Sequence, residues 1–248
     1  MSAEGSSIPE GRDRSIRALT DDVELRELTR QWLAKSVVHR YSYHFDWLGR
    51  PIIQYPQDVL AVQEIIWRVQ PDLIVETGIA HGGSAIFSAS ILELLGGDGR
   101  VVAVDVDIRR ANRREIEAHP MSRRITLIEG SSIDEAIAAE VRRHAEGRRC
   151  ILVLLDSNHT HDHVLRELEL YSPLVGPGSY VVVFDTIIED LPDGSSADRP
   201  WGRGNNPKTA VREFLRRNDR FEIDREIQDK LLLTVAPDGY LKCVKLLP

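Results

Sequence analysis

Cysteine is nearly absent: Cys150 and Cys243 are the two in 248 residues, so neither a disulfide framework nor a four-cysteine zinc site is available. Cys150 adjoins an apolar run, and two buried, reduced thiols are expected. Long hydrophobic runs are missing too. The first twenty residues hold no apolar stretch of signal-peptide length, and no later run nears the roughly 20 residues that span a bilayer, so the reading is a cytoplasmic protein with no membrane partner. Positive charge is in deficit, with 32 Lys and Arg against 39 Asp and Glu, a net of −7. Such a chain has no broad cationic field for a phosphate backbone, and nucleic acid is not expected as a partner. Solenoid-type repeats are absent as well, which leaves an ordinary globular domain.

The 42% apolar content suffices for one large core. The Ser/Gly/Glu/Arg-rich opening reads as a flexible tail over 1–20. Asp21 with Glu24 resembles a capping box, and Leu25, Leu28, Trp32 and Leu33 follow at helical spacing. They begin an accessory segment, 21–70, that continues through an aromatic-rich loop at 41–56 and a helix at 58–69. Short β-branched runs then alternate with helical stretches, giving strands at 73–77, 101–105, 125–129, 151–155 and 180–185. Runs such as ILVLL and YVVVF imply burial on both faces. The expected fold is therefore α/β, a Rossmann-like domain over 71–248 with a mostly parallel sheet and helices on both faces. The polar, Gly/Pro-rich stretch 187–207 is too long for a plain connection and reads as a lid. A helix at 208–217 follows, and runs at 231–235 and 241–246, separated by Pro237-Asp238-Gly239, suggest a C-terminal antiparallel hairpin.

The first strand of this series runs into a glycine turn, from Ile74 to Ser84. Gly78 allows a tight bend, while Gly82 and Gly83 allow close ligand approach over a helix N-terminus. As G-x-G-x-x-G the pattern fails at Ala80, which disfavours a nicotinamide or flavin cofactor. Glu76 before the turn and Asp105 ending the next strand instead suit adenosylmethionine, one carboxylate near its sulfonium and amine, the other for its ribose hydroxyls. The expected donor site comprises Glu76, Gly78, Ala80, Gly82, Ser84 and Asp105, with Ser131 and Asp156 towards the adenine and reacting ends. Alternatively, Glu76 caps the loop, Asp105 merely ends a strand, and Ser131 belongs to a helix N-cap.

Ligand-capable groups are densest at DSNHTHDH, residues 156–163. A zinc hydrolase of the H-x-H-x-D-H type needs one more residue of spacing, and no H-E-x-x-H occurs. Asp185 ends the strand after that of Asp156, so the two carboxylates, with the Thr186 hydroxyl and waters, would suit a hard ion such as magnesium. His159 is the candidate general base, alongside Asp156 as the second catalytic residue. Tyr55, His161, Trp201 and Arg203 are candidate acceptor contacts, and Tyr43 and Trp47 could line the same side; core packing is the alternative for the aromatic residues, and packing along the following helix for His161.

The pieces VETGIAHGGSA, LLDSNHTHDHVLRELELYSPLV, GSYVVVFDT, NNPKTAVREFL and DKLLLTVAPDGYLKCVK resemble the cephalosporin-hydroxylase-like group of methyltransferases, which includes the rhamnosyl O-methyltransferases, over about residues 50–245. The resemblance implies a class I methyltransferase fold, adenosylmethionine as donor, a divalent ion held by acids ending the fourth and fifth strands, and a homo-oligomeric enzyme. At Asp156, His159 and Asp185-Thr186 the chain is also similar to catechol-type methyltransferases. It departs at Phe184, where relatives often carry an acid. Oxygen chemistry is not expected, for want of a 2-His-1-carboxylate triad. The expected activity is magnesium-dependent O-methylation of a deoxysugar or rhamnose-type hydroxyl in natural-product, antibiotic-type biosynthesis, on a sugar nucleotide or glycosylated small molecule. The alternatives are a metal-dependent hydrolase using His159, His161 and His163, and a non-catalytic adenosylmethionine-binding protein.

Overall fold

The computed structural model describes residues 11–192, 194 and 198–247. Where the sequence suggests a tail, α1 (Arg12–Asp21) is helical and lies against a helix near the C-terminus; residues 1–10 fall outside the described chain. Helix α2 (Val23–Val38) is capped by Asp22, whose carboxylate accepts the Leu25 N–H at 2.9 Å, one residue later than the capping box suggests. Leu33 on it is buried, whereas Leu28 remains largely exposed.

The aromatic stretch is a hairpin rather than a loop. Strands β1 (Phe45–Trp47) and β2 (Arg50–Ile52) pair antiparallel through Leu48 and Gly49, both at positive φ, as a two-residue turn of matching twist demands. Strands of three residues leave little periodicity to read, and this pair is fixed by packing. The Trp47 indole donates to Ser90 Oγ at 3.0 Å and its ring meets Phe87 edge-on.

Helix α3 (Pro56–Val69) leads into β3 (Leu73–Thr77), then α4 (Gly83–Leu95), β4 (Arg100–Asp105), α5 (Arg110–Ala118), β5 (Ile125–Glu129), α6 (Glu135–Ala145), β6 (Ile151–Leu155), α7 (His161–Tyr171) and β7 (Tyr180–Val183). The chain closes with α8 (Pro207–Arg217), β8 (Phe221–Ile223), α9 (Arg225–Leu231) and β9 (Tyr240–Cys243). The main sheet has the order β5-β4-β3-β6-β7-β9-β8, parallel through β7, with β9 antiparallel to β7 and β8 antiparallel to β9. Side chains alternate between two cores. Val75, Val153 and Val181 face α6, α7 and α8, while Ile74, Leu152 and Val182 join α3 and α4 on the other side. Leu33, Ile52 and Tyr55 belong to that second core, so the accessory segment packs into the same body as the sheet.

The C-terminal antiparallel pair is present, but its first strand is β8 rather than the run 231–235. That run is diverted by Asp58 of α3, which is fully buried and accepts the Val235 N–H at 2.9 Å and the hydroxyls of Thr234 and Tyr240. The stretch 187–207 is anchored at both ends: Ile187, Ile188 and Leu191 are buried in or just after a 3-10 turn, and Asn206 forms a capping box with Thr209 at the start of α8. Residues 193 and 195–197 lie outside the described chain. Among the described residues no helix is long and apolar enough to cross a membrane, and both cysteines are free, Cys243 buried and Cys150 only partly.

Candidate active site

The strand order turns at β3, and its C-terminal end lies beside those of β4 and β6, where open α/β sheets bind ligands. Register brings Thr77 against Leu155, and the Asp156 N–H donates to the Thr77 carbonyl at 2.9 Å. Gly78 therefore passes so close to this strand that an added Cβ would lie 2.1 Å from the Asp156 carbonyl oxygen, and its φ is +90°. The other two glycines differ from expectation. A Cβ on Gly82 would strike Ile116 of α5, and one on Gly83 the Pro51 carbonyl, so both serve packing of α4, and only Gly83 also borders a cavity.

Asp105 holds the turn: one carboxylate oxygen accepts the N–H groups of Ile79 and Ala80 at 2.7 and 3.2 Å. Arg50 of β2 donates to the His81 carbonyl at 2.8 Å, and Asn112 of α5 to that of Ala80 at 2.8 Å. Beneath the turn, Glu76 is buried; it accepts from the Ser84 hydroxyl with one oxygen and has no partner for the other among the described residues. Burial pushes its pKa up to about 7, the Ser84 bond opposing and Asp105 adding to the rise.

Asp156 leaves β6, and Asp185 follows β7 in a left-handed conformation (φ 55°). Because β6 and β7 are neighbours, Asp156, His159 and Asp185 each present a ligand atom within 4.8 Å of the others. His159 Nε2 lies 3.2 Å from Asp185 Oδ2, and the edge-on Trp201 ring, 4.7 Å between centroids, braces the imidazole. Gln54 Nε2 donates to Asp156 Oδ2 at 2.8 Å. Burial raises the Asp156 carboxyl well above the usual range, and the charges of Asp185, Glu76 and Glu167 push the same way, against the Gln54 bond. The two carboxylates repel each other unless a proton or cation joins them, and with the imidazole beside them this oxygen-rich donor set fits a divalent ion.

Several expected contacts are not made. Thr186 is fully buried, its hydroxyl donating to the Pro237 carbonyl at 2.7 Å, so the proposed third metal position lines neither cavity at the site. Phe184 is buried in the core, and no acid stands there. The three histidines diverge. His161 bridges α7 to α8 through Thr209 at 2.8 Å and Glu213 at 3.3 Å, and His163 faces Ser132, Ser157 and Glu167. With His159 alone at the cluster, the three-histidine hydrolase reading has no site, and His161 is not at the acceptor.

Two cavities meet at the cluster. One, of about 240 Å³, is bounded by Gly78, Ala80, Ser84, Asp105 and Asp156; the other, of about 370 Å³, by Tyr55, Arg199, Trp201 and apolar residues. They share Tyr43, Gln54, His159 and Asp185. Ser131 and Gly82 do not line the first. Arg203 does not line the second; it reaches the Leu191 carbonyl at 3.3 Å, and Arg199 takes the cavity position. Gln54, Arg50 and Arg199 are the residues that sequence reasoning missed. Nothing local marks Gln54 and Arg50, since each acts on a partner far away in sequence, and Arg199 stands in a polar stretch with no periodicity.

This sheet order and this site define an adenosylmethionine-dependent O-methyltransferase of Rossmann-like fold. The rhamnosyl O-methyltransferase/CmcI family model matches residues 39–244. The chain belongs to that family, and the matched span takes in the β1–β2 hairpin and α3. A rhamnosyl O-methyltransferase of Mycobacterium tuberculosis is 34% identical over 190 residues, 74% of this chain and 72% of the relative. That of Mycobacterium leprae is 30% identical over 197 residues, 79% and 81% of the two chains. Among solved structures, CmcI with Mg and SAM superposes with a TM-score of 0.56 at 18% identity, covering 82% of this chain and 78% of CmcI. A putative O-methyltransferase from Klebsiella pneumoniae gives 0.50 at 16%, covering 85% and 86%. At these identities the structural likeness is one of fold.

Proposed function

We propose that this enzyme methylates a sugar hydroxyl, of deoxysugar or rhamnose type, on a small natural product. The observation that carries the reading is the junction of the two cavities at Asp156, His159 and Asp185. A donor in the first cavity and an acceptor in the second would meet along this shared wall. The rhamnosyl relatives supply the acceptor class.

The acidic wall of the first cavity, Asp105, Asp156 and Asp185, suits a cationic donor, with the backbone of Gly78 and Ala80 against the ligand; Glu76 does not line this cavity but is buried beneath the turn, next to Ser84, which does. When bound, the donor supplies an electrophilic methyl carbon and a divalent ion supplies Lewis acidity that lowers the pKa of an acceptor hydroxyl. Asp156 and Asp185 would hold that ion, with Gln54 fixing the orientation of Asp156. His159, whose side chain borders both cavities, would take the hydroxyl proton, its Nε2 being free to accept once Asp185 turns to the ion. Tyr55 and Trp201 flank the acceptor and exclude water, which favours an in-line approach of oxygen to methyl. The same reading makes the protein a cytoplasmic homo-oligomer in an antibiotic-type pathway.

Calorimetry with adenosylmethionine, followed by labelled-methyl transfer to deoxysugar nucleotides and glycosylated aglycones with and without chelator, tests it. Metal-dependent label on a sugar oxygen is expected. Tight donor binding with no label on any glycoside would favour the non-catalytic alternative.

A further inference from the structure

The two cavities differ in charge. Asp105, Asp156 and Asp185 line the donor side, whereas the acceptor side shares Asp185 alone of these acids and adds Arg40 and Arg199. We propose, resting on the methyl-transfer reading, that the acceptor carries an anionic group, a phosphate or a carboxylate, held by Arg40 and Arg199.

These two guanidinium groups reach one cavity from separate parts of the chain, Arg40 just after α2 and Arg199 ahead of α8. Arg40 has a left-handed backbone (φ 51°), and its carbonyl accepts the Tyr43 N–H at 2.9 Å, which ties it to another residue of the same wall. Arg199 lies over the Trp201 ring, 5.3 Å from its centroid, and Trp201 in turn braces His159. Among the described residues neither guanidinium has a carboxylate partner, whereas Arg113, Arg124 and Arg166 are ion-paired. Arg40 and Arg199 are the two arginines that line this cavity, in a chain of net charge −7. A guanidinium presents a planar fork of donors that matches carboxylate and phosphate oxygens, so the wall is built for such a group. Ile187, Leu191 and Val235 give the cavity an apolar side that would take the body of the acceptor. A cationic donor facing acids and an anionic acceptor facing arginines keep each substrate out of the other's place.

Phenyl rhamnoside, 4-carboxyphenyl rhamnoside and 4-phosphonooxyphenyl rhamnoside form a matched set of probes. Wild-type protein, with donor and magnesium present, should bind one or both charged probes at least about tenfold more tightly than the neutral one by calorimetry. The advantage should shrink as ionic strength rises, and whichever anion keeps it identifies the group. An Arg40→Gln, Arg199→Gln double variant should bind charged and neutral probes alike, and its donor binding reports that it is folded. Equal or weaker binding of both charged probes by the wild type, or a preference that survives the double variant, would overturn the proposal. Label transfer to the neutral probe with no charge preference rejects the anionic acceptor alone; donor binding without transfer to any glycoside rejects the reaction, and the binding preference is then read by itself.

Discussion

Glu76 is held where an ordinary carboxylate would not stay ionised. Its pKa is about 7 in the fold against an ordinary 4.5, so between these values the folded chain binds the extra proton. Its contribution to stability is complete below about pH 4.5 and is lost as pH rises through 7, a change of about 3 kcal/mol. Glu76→Gln should therefore be more stable than wild type above pH 7 and equal to it below pH 4.5 in urea unfolding; a gap independent of pH would show that burial is not the cause. The same burial has a use, because a cationic donor would restore the ionised form. Donor affinity should rise from pH 6 to 8 in the wild type and stay flat in the variant. Gly78 is constrained differently. Gly78→Ala combines a positive φ with a Cβ 2.1 Å from the Asp156 carbonyl, and should cost at least about 2 kcal/mol in the same unfolding experiment. Asp156→Ala should reduce turnover by at least about 100-fold while leaving donor affinity within a few-fold, because the side chain serves the metal more than the donor; unchanged turnover would remove its metal role.

Between elements, two polar links set how helices meet the sheet. His161 joins α7 to α8 through Thr209 and Glu213, at the base of the segment that carries Trp201. His161→Ala should cost about 1 to 2 kcal/mol of stability and leave acceptor affinity nearly intact; a large loss of acceptor binding with stability unchanged would return His161 to the site. Asp58 links α3 to the segment before β9. Asp58→Ala leaves the Val235 N–H and the hydroxyls of Thr234 and Tyr240 without their buried acceptor, and should cost about 3 kcal/mol or more, with faster hydrogen exchange at Val235. That link also explains why the apolar run 231–235 is no strand. Its polar and amide groups are better satisfied by one buried carboxylate than by a sheet edge.

At the scale of the whole molecule, acids converge on one crevice from β4, the end of β6 and the turn after β7, and a divalent ion that binds only the folded crevice must stabilise the entire fold. Magnesium at about 100 times its dissociation constant should add about 2.7 kcal/mol, seen as a higher thermal midpoint that chelator reverses and Asp185→Asn diminishes. Much of this crevice was legible beforehand. The strands show because each is a compact apolar run bounded by turn residues, and Asp156, His159 and Asp185 show because they stand at the ends of runs that a right-handed parallel sheet makes neighbours. Local chemistry thus determined the sheet, the glycine turn and the acids at the strand tips. Tertiary structure alone decided that Gln54 orients Asp156 across 102 residues, that Arg50 pins the glycine turn, that Arg199 rather than Arg203 lines the larger cavity, and that Thr186, His161 and Gly82 line neither cavity and meet other parts of the fold instead. Those outcomes depend on which distant backbone reaches a given side chain first, and hydrogen-bond satisfaction in a buried space leaves no periodic trace along a chain.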